Sequence, residues 1–386
     1  MSKGFDIAIV GAGPAGSSAA IRLATAGKKV LLVEKEKFPR EKLCGEFISP
    51  ECLEHFAELG VLDRMNLAGG IEISETVFYS RGGRGVTVPS SMFGGVFETA
   101  LGLSRAQMDF QLMQRAKEAG AEVLEGTGAS ALVIEGGRVA GLRLKRHGAE
   151  ETVKTSIVLD ATGRSRALAR KSDGTQTPRA KFVAFKTHIR NVDIPDYRCE
   201  IFSYRGGYGG TSRVENGLHN LCFVASTADV KRSGSDAARV FREVVCSNSR
   251  AADVFCKAEF VGEWLAVPIE RFGRGTLSPV RGLLTIGDAA AFIDPFTGSG
   301  MLLALESARV AAESVLATDI NELAAEYEWR YRAAFDRRLR VCAWLRRASF
   351  VPFLAEVTIV GLSHSSTLKS RLVRATRTQR SSPAIR

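Results

Sequence analysis

The feature that most constrains the fold is a glycine-rich turn near the N-terminus, set between an apolar, strand-like segment and a helical stretch. Residues 11–16 read GAGPAG, and the next apolar segment ends at Glu34. In such a turn Gly11 permits the tight bend, Gly13 lets backbone N–H groups approach a pyrophosphate, and Gly16 lets the helix pack closely on the sheet. A carboxylate about 20 residues further on binds a ribose hydroxyl and disfavours a 2′-phosphate. The pattern predicts a strand–helix–strand unit that binds the ADP half of a dinucleotide other than NADP.

A second motif lies far along the chain and completes the prediction of the cofactor. Residues 283–288 read LLTIGD, and residues 295–301 read PFTGSGM. Small residues at the start of a helix can present backbone N–H groups to a ligand, and the positive end of the helix dipole stabilises negative charge. A reduced flavin carries negative charge near N1, so this motif suits the ribityl chain and ring of a flavin. The two motifs together predict FAD.

Composition narrows the class of protein further. With 386 residues, 45% of them hydrophobic and 25% charged, the chain is long enough for two domains and ordinary for a globular enzyme. Its seven cysteines form no CxxC pair and its five histidines lack metal-ligand spacing, so neither a metal site nor a disulfide framework is predicted. No apolar run is long enough to span a bilayer, and the first strand begins too close to Met1 for a signal peptide. We therefore expect a cytoplasmic protein.

The net charge of +11 is concentrated at the C-terminal end of the chain. Residues 330–386 hold 13 Lys and Arg and 2 Asp and Glu, and the rest of the chain sums to zero. Such an arm suits an anionic surface, which includes phospholipid at the inner face of a membrane, a diphosphate substrate and nucleic acid. The alternative is a solvated helix face with a frayed tail.

The order of predicted elements indicates a mixed α/β (α+β) fold. A Rossmann-like FAD-binding domain is interrupted by a mostly antiparallel β-sheet domain that covers the substrate, and a C-terminal helical arm follows. The cofactor domain is therefore assembled from separate pieces of the chain. The predicted divisions are 1–75, 99–172 and 274–330 for the FAD-binding domain, 76–98 and 173–273 for the substrate domain, and 331–386 for the basic helical arm.

Several segments together carry a family resemblance that covers roughly residues 4–330. The chain resembles FAD-dependent oxidoreductases with the p-hydroxybenzoate hydroxylase type of fold, and within that fold it most resembles the geranylgeranyl reductase group. The matching segments are GAGPAG with Glu34, LSRAQMD at 103–109, DATGRSR at 160–166, GDAAAFIDPFTGSGM at 287–301 and, for the reductase branch, PREKLCGEFISP at 39–50.

The resemblance implies a role for each matching position. Arg105 is expected at the phosphate or ribityl region, Asp288 at a ribityl hydroxyl, and Pro295 against the flavin ring. Residues 298–301 are expected to present N–H groups to the flavin N1/C2 carbonyl. The full set of expected cofactor contacts is Gly11, Gly13, Pro14, Ala15, Gly16, Glu34, Lys35, Cys44, Gly45, Arg105, Gly163, Gly287, Asp288, Pro295, Gly298, Ser299, Gly300 and Met301.

The resemblance also implies two candidate catalytic residues in one loop. A cysteine at the position of Cys44 lies near the flavin and the substrate cavity in the reductase group, and a neighbouring cation favours the reactive thiolate of a cysteine. Cys44 is thus a candidate proton donor to a substrate carbon, and simple packing of its side chain is the alternative. Glu46 is the second candidate donor, on the condition that burial raises its pKa. His188 and Tyr208 rank below these two.

Three departures from related families bear on the reaction. Thr162 stands where the hydroxylases carry Asp, which weakens the case for their way of binding NADPH. Residues 207–212 keep only the tyrosine of the Tyr-x-Trp-x-Phe-Pro segment found in archaeal reductases. Flavin halogenases need a lysine soon after the first nucleotide unit and a Trp-x-Trp-x-Ile-Pro segment. This chain has no lysine between Lys42 and Lys117, so halogenation is not expected.

The interpretation favoured by the sequence is an FAD-dependent reductase that acts on a C=C bond of a small hydrophobic, isoprenoid-like substrate. The chain has one dinucleotide-binding motif, so the electrons for the flavin must come from NAD(P)H that binds transiently or from a protein donor. An FAD-dependent monooxygenase acting on a hydrophobic or aromatic substrate remains open, because one fold serves both reactions. An electron-carrying or nucleic-acid-binding flavoprotein is a third class, but no aromatic–basic motif supports nucleic acid. The oligomeric state stays open.

Overall fold

The computed structural model describes residues 4–174, 179–270, 272–292 and 299–349, with side chains as far as residue 343. The strands of these parts are β1 (Ile7–Val10), β2 (Val30–Val33), β3 (Phe47–Ile48), β4 (Ile71–Ile73), β5 (Glu75–Tyr79), β6 (Gly85–Pro89), β7 (Ala100–Gly102), β8 (Glu122–Leu124), β9 (Thr127–Glu135), β10 (Arg138–Arg146), β11 (Ala149–Lys154), β12 (Ile157–Asp160), β13 (Phe182–Arg190), β14 (Arg198–Tyr204), β15 (Gly207–Arg213), β16 (His219–Ser226), β17 (Glu259–Phe260), β18 (Leu265–Ile269), β19 (Gly273–Arg274), β20 (Leu283–Thr285) and β21 (Ala291–Phe292).

The helices of the same parts are α1 (Pro14–Thr25), α2 (Pro50–Glu58), α3 (Leu62–Leu67), α4 (Arg105–Glu118), α5 (Ala169–Asp173), α6 (Thr227–Arg232), α7 (Ala237–Val244), α8 (Ser249–Val254), α9 (Gly300–Ala317) and α10 (Leu323–Ser349). None of these helices is both long and apolar enough to cross a membrane.

The cofactor domain is built on a parallel sheet with the strand order β20-β12-β1-β2-β8. Strands β1 (IAIV) and β2 (VLLV) are buried on both faces, as is usual for a parallel sheet covered on both sides. Ile7 and Ile9 face the core formed with α1, α4 and α9, whereas Ala8 and Val10 face the small antiparallel sheet β9–β11. The expected Rossmann-like unit is therefore confirmed.

An eight-stranded, mostly antiparallel sheet forms the second layer of the molecule. Its order is β17-β13-β16-β15-β14-β5-β6, with β18 paired to β13, and only β14 and β5 run parallel. On one face Phe185, Phe223 and Phe202 pack under α7 and α8. Side chains alternate between the two faces of a sheet along each strand. The residues directly before and after each of these phenylalanines in the sequence therefore face the cofactor domain. The mixed α/β architecture predicted from the sequence is confirmed.

The C-terminal helix α10 starts before the predicted basic arm and continues into it without a break. Tyr327, Tyr331, Phe335 and Cys342 lie at intervals that place them on one helix face, and all four are buried in the core of the cofactor domain. The first part of the arm is thus a packed helix. Residues 350–386, which carry most of the remaining arm, lie outside the described residues.

Candidate functional site

The three glycines of the N-terminal turn are required for different reasons. Gly11 has a φ of +103°, and a Cβ there would lie 2.4 Å from the carbonyl oxygen of Ala161. A Cβ on Gly16 would lie 1.8 Å from the carbonyl oxygen of Gly11, so the close approach of α1 leaves no room for a side chain. By contrast, a Cβ on Gly13 would meet only the tips of Arg105 and Arg40, at 3.7 and 4.0 Å. Gly13 therefore borders open space, as expected for a position that a ligand approaches.

Basic side chains surround this open space. Arg105 makes a bidentate pair with Asp109, with N–O distances of 2.9 and 2.7 Å, and Arg40 bridges Asp109 and Glu34 at 2.9 and 3.2 Å. Partial burial and the charges of Arg40 and Arg105 lower the pKa of Lys42. A cluster of basic side chains at a helix N-terminus favours binding of a diphosphate, so these residues fit the pyrophosphate of FAD.

Glu34 lies at the end of β2 beside the turn, where the motif predicts the ribose contact. Its carboxylate accepts hydrogen bonds from the backbone N–H groups of Ala12 (3.0 Å) and Glu36 (3.1 Å), and it is almost fully buried. The neighbouring Lys35 side chain is exposed and pairs with Glu36 at 3.4 Å. The contacts of Glu34 with the ribose and of Lys35 with the cofactor remain predictions.

Asp288 has the surroundings of a ligand-binding carboxylate. Burial raises its pKa, against the opposing charges of Arg164, Arg105 and Lys42, and no hydrogen-bond donor contacts it within the described part of the chain. Asp160 is the opposite case, because its carboxylate accepts four hydrogen bonds from Thr162 and from the N–H groups at the start of α5 and just before it. A half-buried carboxylate in the turn after β20, with no hydrogen-bond partner among the described residues, fits the predicted ribityl hydroxyl, because a charge withdrawn from water needs a partner.

The remaining predicted cofactor contacts fall into two groups. Gly163 (φ +71°) and Gly287 (φ +60°) form turns after β12 and β20, and a Cβ on Gly287 would lie 2.9 Å from that of Ala15 in α1. Ser299 is buried at the N-terminal end of α9, followed by Gly300 and Met301 in its first turn. The predicted contacts that lie outside the described residues are Pro295 and Gly298.

The loop that carries Cys44 links the two layers of the molecule. The carbonyl oxygen of Cys44 accepts a hydrogen bond from the side-chain amide of Asn220 on β16, at 3.2 Å. Its sulfur accepts one from the backbone N–H of Glu46 at 3.4 Å and also contacts the Arg105 guanidinium. Cys44 is therefore half-buried between the basic cluster and the inserted sheet, and its place beside the flavin and substrate stays a prediction.

The buried Glu46 carboxylate is the centre of an ionic hub, which we define as Glu46 with Lys186, His188 and Glu41. The pKa of Glu46 is not raised, as its proposed role of proton donor would require. Glu46 has a φ of +53° and accepts hydrogen bonds from the Arg105 backbone N–H (2.7 Å) and from Lys186 (2.5 Å), and it bonds to His188 Nε2 at 2.8 Å. Burial alone would raise the pKa of Glu46, but the hydrogen bond with His188 and the charge of Lys186 outweigh it and lower the pKa. The condition of a raised pKa is therefore not met, and the partners of Glu46 favour its ionised form.

Sequence reasoning missed Lys186 altogether. Its side chain is 1% exposed, it contacts Glu41 and Glu46 at 2.5 Å each, and the charges of these two carboxylates raise its pKa despite burial. Ligand atoms of Glu41, Glu46 and His188 lie within 4.8 Å of one another, but the Lys186 ammonium already supplies the positive charge there. The detectable signal was the two-residue spacing of Lys186 and His188, which places both on one face of a strand that begins with four apolar residues.

The cofactor-facing side of the inserted sheet changes from polar to apolar along β13. Lys186 pairs with Cys222, and two residues earlier Ala184 pairs with Val224, which in turn pairs with Tyr208. This second row begins an aromatic patch, which we define as the apolar cluster of Ala184, Tyr208, Val224 and Ile269 with Leu43, Phe182, Phe272 and Phe292. The patch lies beside the turn that carries Asp288, because Phe292 follows it by four residues.

Comparison with known proteins identifies the family. A model of the FAD binding domain family matches residues 4–328. The chain belongs to this family. It is 29% identical over 352 residues to a digeranylgeranylglycerophospholipid reductase of Methanosarcina mazei, covering 86% of this chain and 81% of that protein. It is 27% identical over 397 residues to a menaquinone reductase of Mycolicibacterium smegmatis, covering 97% and 91% respectively.

A solved structure shows the same fold. The geranylgeranyl bacteriochlorophyll reductase-like protein of Thermoplasma acidophilum superposes with a TM-score of 0.78 at 20% identity, covering 97% of this chain and 96% of that one. At that identity the similarity concerns the fold. The family match and the reductase relatives confirm the expected FAD-dependent oxidoreductase related to the geranylgeranyl reductase group.

Replacement of Asp288 by alanine should weaken FAD binding without unfolding the chain. A ribityl hydroxyl would lose a charged acceptor, which corresponds to about 1.5–3 kcal/mol of binding free energy. FAD titration of the apoprotein measures the loss, and thermal unfolding of the same apoprotein should show no destabilisation. Asp160→Ala is the matched control, because removing its four hydrogen bonds should lower the stability of the apoprotein. Unchanged FAD affinity of the Asp288 variant would remove this residue from the site.

Proposed function

We propose that this protein reduces a carbon–carbon double bond of a hydrophobic, isoprenoid-like substrate with the help of FAD. The observation that carries the proposal is the aromatic patch, an apolar cluster on the side of the inserted sheet that faces the predicted flavin site, with a buried centre and half-buried rings at Phe182, Phe272 and Phe292. Ligand sites commonly join such a surface to a few placed polar groups. The names of the two reductase relatives, for a geranylgeranyl lipid and for a quinone, support a hydrophobic substrate.

Different residues of the chain are assigned to cofactor and substrate binding and to proton donation. Bound FAD would supply the two-electron chemistry between a reductant and the substrate. Arg40 and Arg105 would hold its phosphates, Asp288 would hold its ribityl chain, and the aromatic patch would bind the substrate and exclude water. Because Glu46 is kept ionised by its partners, Cys44 is the proposed proton donor to the double bond.

The experiment that tests this proposal distinguishes a reductase from a monooxygenase, the second reaction that this fold supports. The FAD-loaded protein is reduced with NADPH or dithionite and mixed with an isoprenoid substrate, once without oxygen and once in air. A reductase yields a product that has gained two hydrogens, and it does so without oxygen. A product that forms only in air and carries an oxygen atom from O₂ would contradict the proposal.

The substitution Cys44→Ala should slow the substrate half-reaction and leave reduction of the flavin by NAD(P)H or another donor unchanged. The physical reason is that the thiol delivers a proton only when the substrate accepts electrons. General acid catalysis typically increases the rate of such a step about 10²–10⁴-fold, which is the size of the expected loss. Stopped-flow absorbance of the flavin separates the two steps. Cys256→Ala, at an exposed position, is the control. Equal rates of both half-reactions in variant and wild type would leave Cys44 with a packing role.

We also propose that the basic C-terminal arm attaches the enzyme to the anionic inner face of a membrane. The sequence clusters Lys369, Arg371, Arg374, Arg377 and Arg380 there, and each such charge adds about 1 kcal/mol of attraction to an anionic surface. Sedimentation with liposomes tests the proposal. Binding should require anionic lipid, fall at high salt and disappear when the chain is truncated after residue 366. Equal recovery in the supernatant with anionic and neutral vesicles would refute it.

A further inference from the structure

Arg164 is a cation beside the predicted flavin site, and the described part of the chain gives it no ion-pair or hydrogen-bond partner, although its charge acts on Asp288. Within the described residues its guanidinium contacts no carboxylate and no hydrogen-bond acceptor, and it lies 5.1 Å from the centroid of the Phe292 ring. Nearby arginines differ. Arg166 pairs with Asp173 and donates to the carbonyl oxygens of Ala289 and Thr276. Arg105 makes a bidentate ion pair with the buried Asp109. Among the described residues, nothing occupies the hydrogen-bond donors of the Arg164 guanidinium.

The position of Arg164 points to the substrate side of the flavin site. Phe292 stacks on Phe272 with ring centroids 5.4 Å apart and an angle of 16° between planes, and both rings belong to the aromatic patch. The charge of Arg164 also acts on Asp288 and on Cys222, which lies on the cofactor-facing side of β16. Arg164 thus lies between the turn that carries Asp288 and the inserted sheet, at the border of the aromatic patch.

The chemistry of this arrangement favours an anionic group. A half-buried guanidinium has lost part of its hydration, and an anion that it binds restores a favourable interaction. Its planar fork matches the oxygens of a phosphate in a bidentate way, and stacking on Phe292 fixes the plane of the fork. A neutral carbonyl or hydroxyl would add no negative charge, and among the described residues only Asp288 opposes the charge of Arg164. The neighbouring aromatic patch is suited to the apolar remainder of the same ligand.

We propose that Arg164 binds the phosphate at the head of an isoprenoid substrate, whose hydrocarbon chain lies along the aromatic patch. This inference rests on the proposed reductase function and specifies its substrate as an isoprenoid phosphate or phosphate ester. The pyrophosphate of FAD already has Arg40, Lys42 and Arg105 around Gly13, so Arg164 is not needed there. Arg164 is accordingly a specificity-determining residue: it selects a charged head over a neutral one.

The test compares three probes on FAD-loaded protein: geranylgeranyl diphosphate, geranylgeraniol and NADP⁺. Dissociation constants are measured by isothermal titration calorimetry for the wild type, Arg164→Gln and Arg164→Lys. The control variant is Arg242→Gln, an exposed position on α7 at the opposite face of the inserted sheet. Wild type should bind the diphosphate more tightly than the alcohol. Arg164→Gln should weaken the diphosphate about ten- to a hundredfold and the alcohol less than about twofold, with the lysine variant between.

Several outcomes would overturn the assignment, and they differ from a failure of the reductase proposal. Equal loss of both isoprenoid probes in Arg164→Gln would indicate a packing role. A loss confined to NADP⁺ would place Arg164 at the site of the electron donor, and a fall in FAD affinity would place it in the cofactor site. If wild type binds neither isoprenoid probe, the proposed substrate class itself fails, together with this inference.

Discussion

Substitution of Gly16 by alanine should destabilise the protein by about 3 kcal/mol or more, because the new methyl group would collide with backbone that cannot move aside. The Cβ would lie 1.8 Å from the carbonyl oxygen of Gly11 and 3.2 Å from the Cβ of Ala161. To relieve this contact, α1 would have to separate from β1 and from the turn after β12. Chemical denaturation of the FAD-free protein measures the effect.

Gly13→Ala is the matched control for this substitution. Its Cβ would meet only flexible arginine tips at 3.7 and 4.0 Å, which are ordinary contacts, so the free energy of unfolding should change by less than about 1 kcal/mol. FAD affinity should fall in this variant, and Gly13→Val should bind still less, because the side chain occupies space that the pyrophosphate needs. If Gly13→Val retains full FAD affinity, or if Gly16→Ala is as stable as wild type, the assigned roles of the two glycines are wrong.

The residues expected to bind the cofactor could be predicted because the constraints on them act between residues that are close in the sequence. A sharp turn after a strand needs a positive φ, which Gly11 supplies, and a helix that packs against its own preceding turn needs Gly16. The apolar runs around the turn are short and bounded, which favours strands of a parallel sheet. These requirements act over a few dozen residues, so the sequence alone places Glu34 at the end of the second strand.

The ionic hub could not be predicted because it depends on contacts between distant parts of the chain. Glu46 and Lys186 are separated by 140 residues, and their contact exists only when β13 has one register and one face toward the loop. A shift of one residue in that strand would turn Lys186 into the phenylalanine core on the other face. The sign of the pKa shift of Glu46 follows from those partners, and burial by itself gives the opposite sign.

The same limit applies to Arg164 and Arg166, which are two residues apart in one motif. The sequence offers no way to tell which of them is engaged by the protein. In the structure Arg166 has a φ of +46° and reaches Asp173 and two backbone carbonyls, whereas Arg164 points to Phe292. The difference arises from the local backbone turn, from the positions of the Thr276 and Ala289 carbonyl groups, and from the position of the Phe292 ring in β21. Which of the two arginines has partners among the described residues is therefore a result of tertiary structure.

The substitution Glu46→Gln should cost about 3–5 kcal/mol of stability at neutral pH, since it removes the carboxylate that neutralises a fully buried lysine. Glu46 has no exposed surface and Lys186 is 1% exposed, so solvent screens this pair little. Glu41→Gln is the matched control. Glu41 contacts the same ammonium but is 45% exposed, and its loss should cost no more than about 1 kcal/mol. The double variant Glu46→Gln/Lys186→Met should recover much of the lost stability, because no unpaired charge remains buried.

The pH dependence of the Glu46→Gln variant gives a second, independent measurement. The folded-state pKa of Glu46 lies below its unfolded value of about 4.3, so its contribution to stability is complete above that pH and is lost as the pH falls through the folded-state pKa. The stability difference between wild type and Glu46→Gln should therefore be largest near pH 7 and narrow progressively below about pH 4. A difference that stays constant down to acid pH would mean that Glu46 is not ionised in the folded protein. A difference that grows toward acid pH would restore Glu46 as a protonated group and as a candidate proton donor.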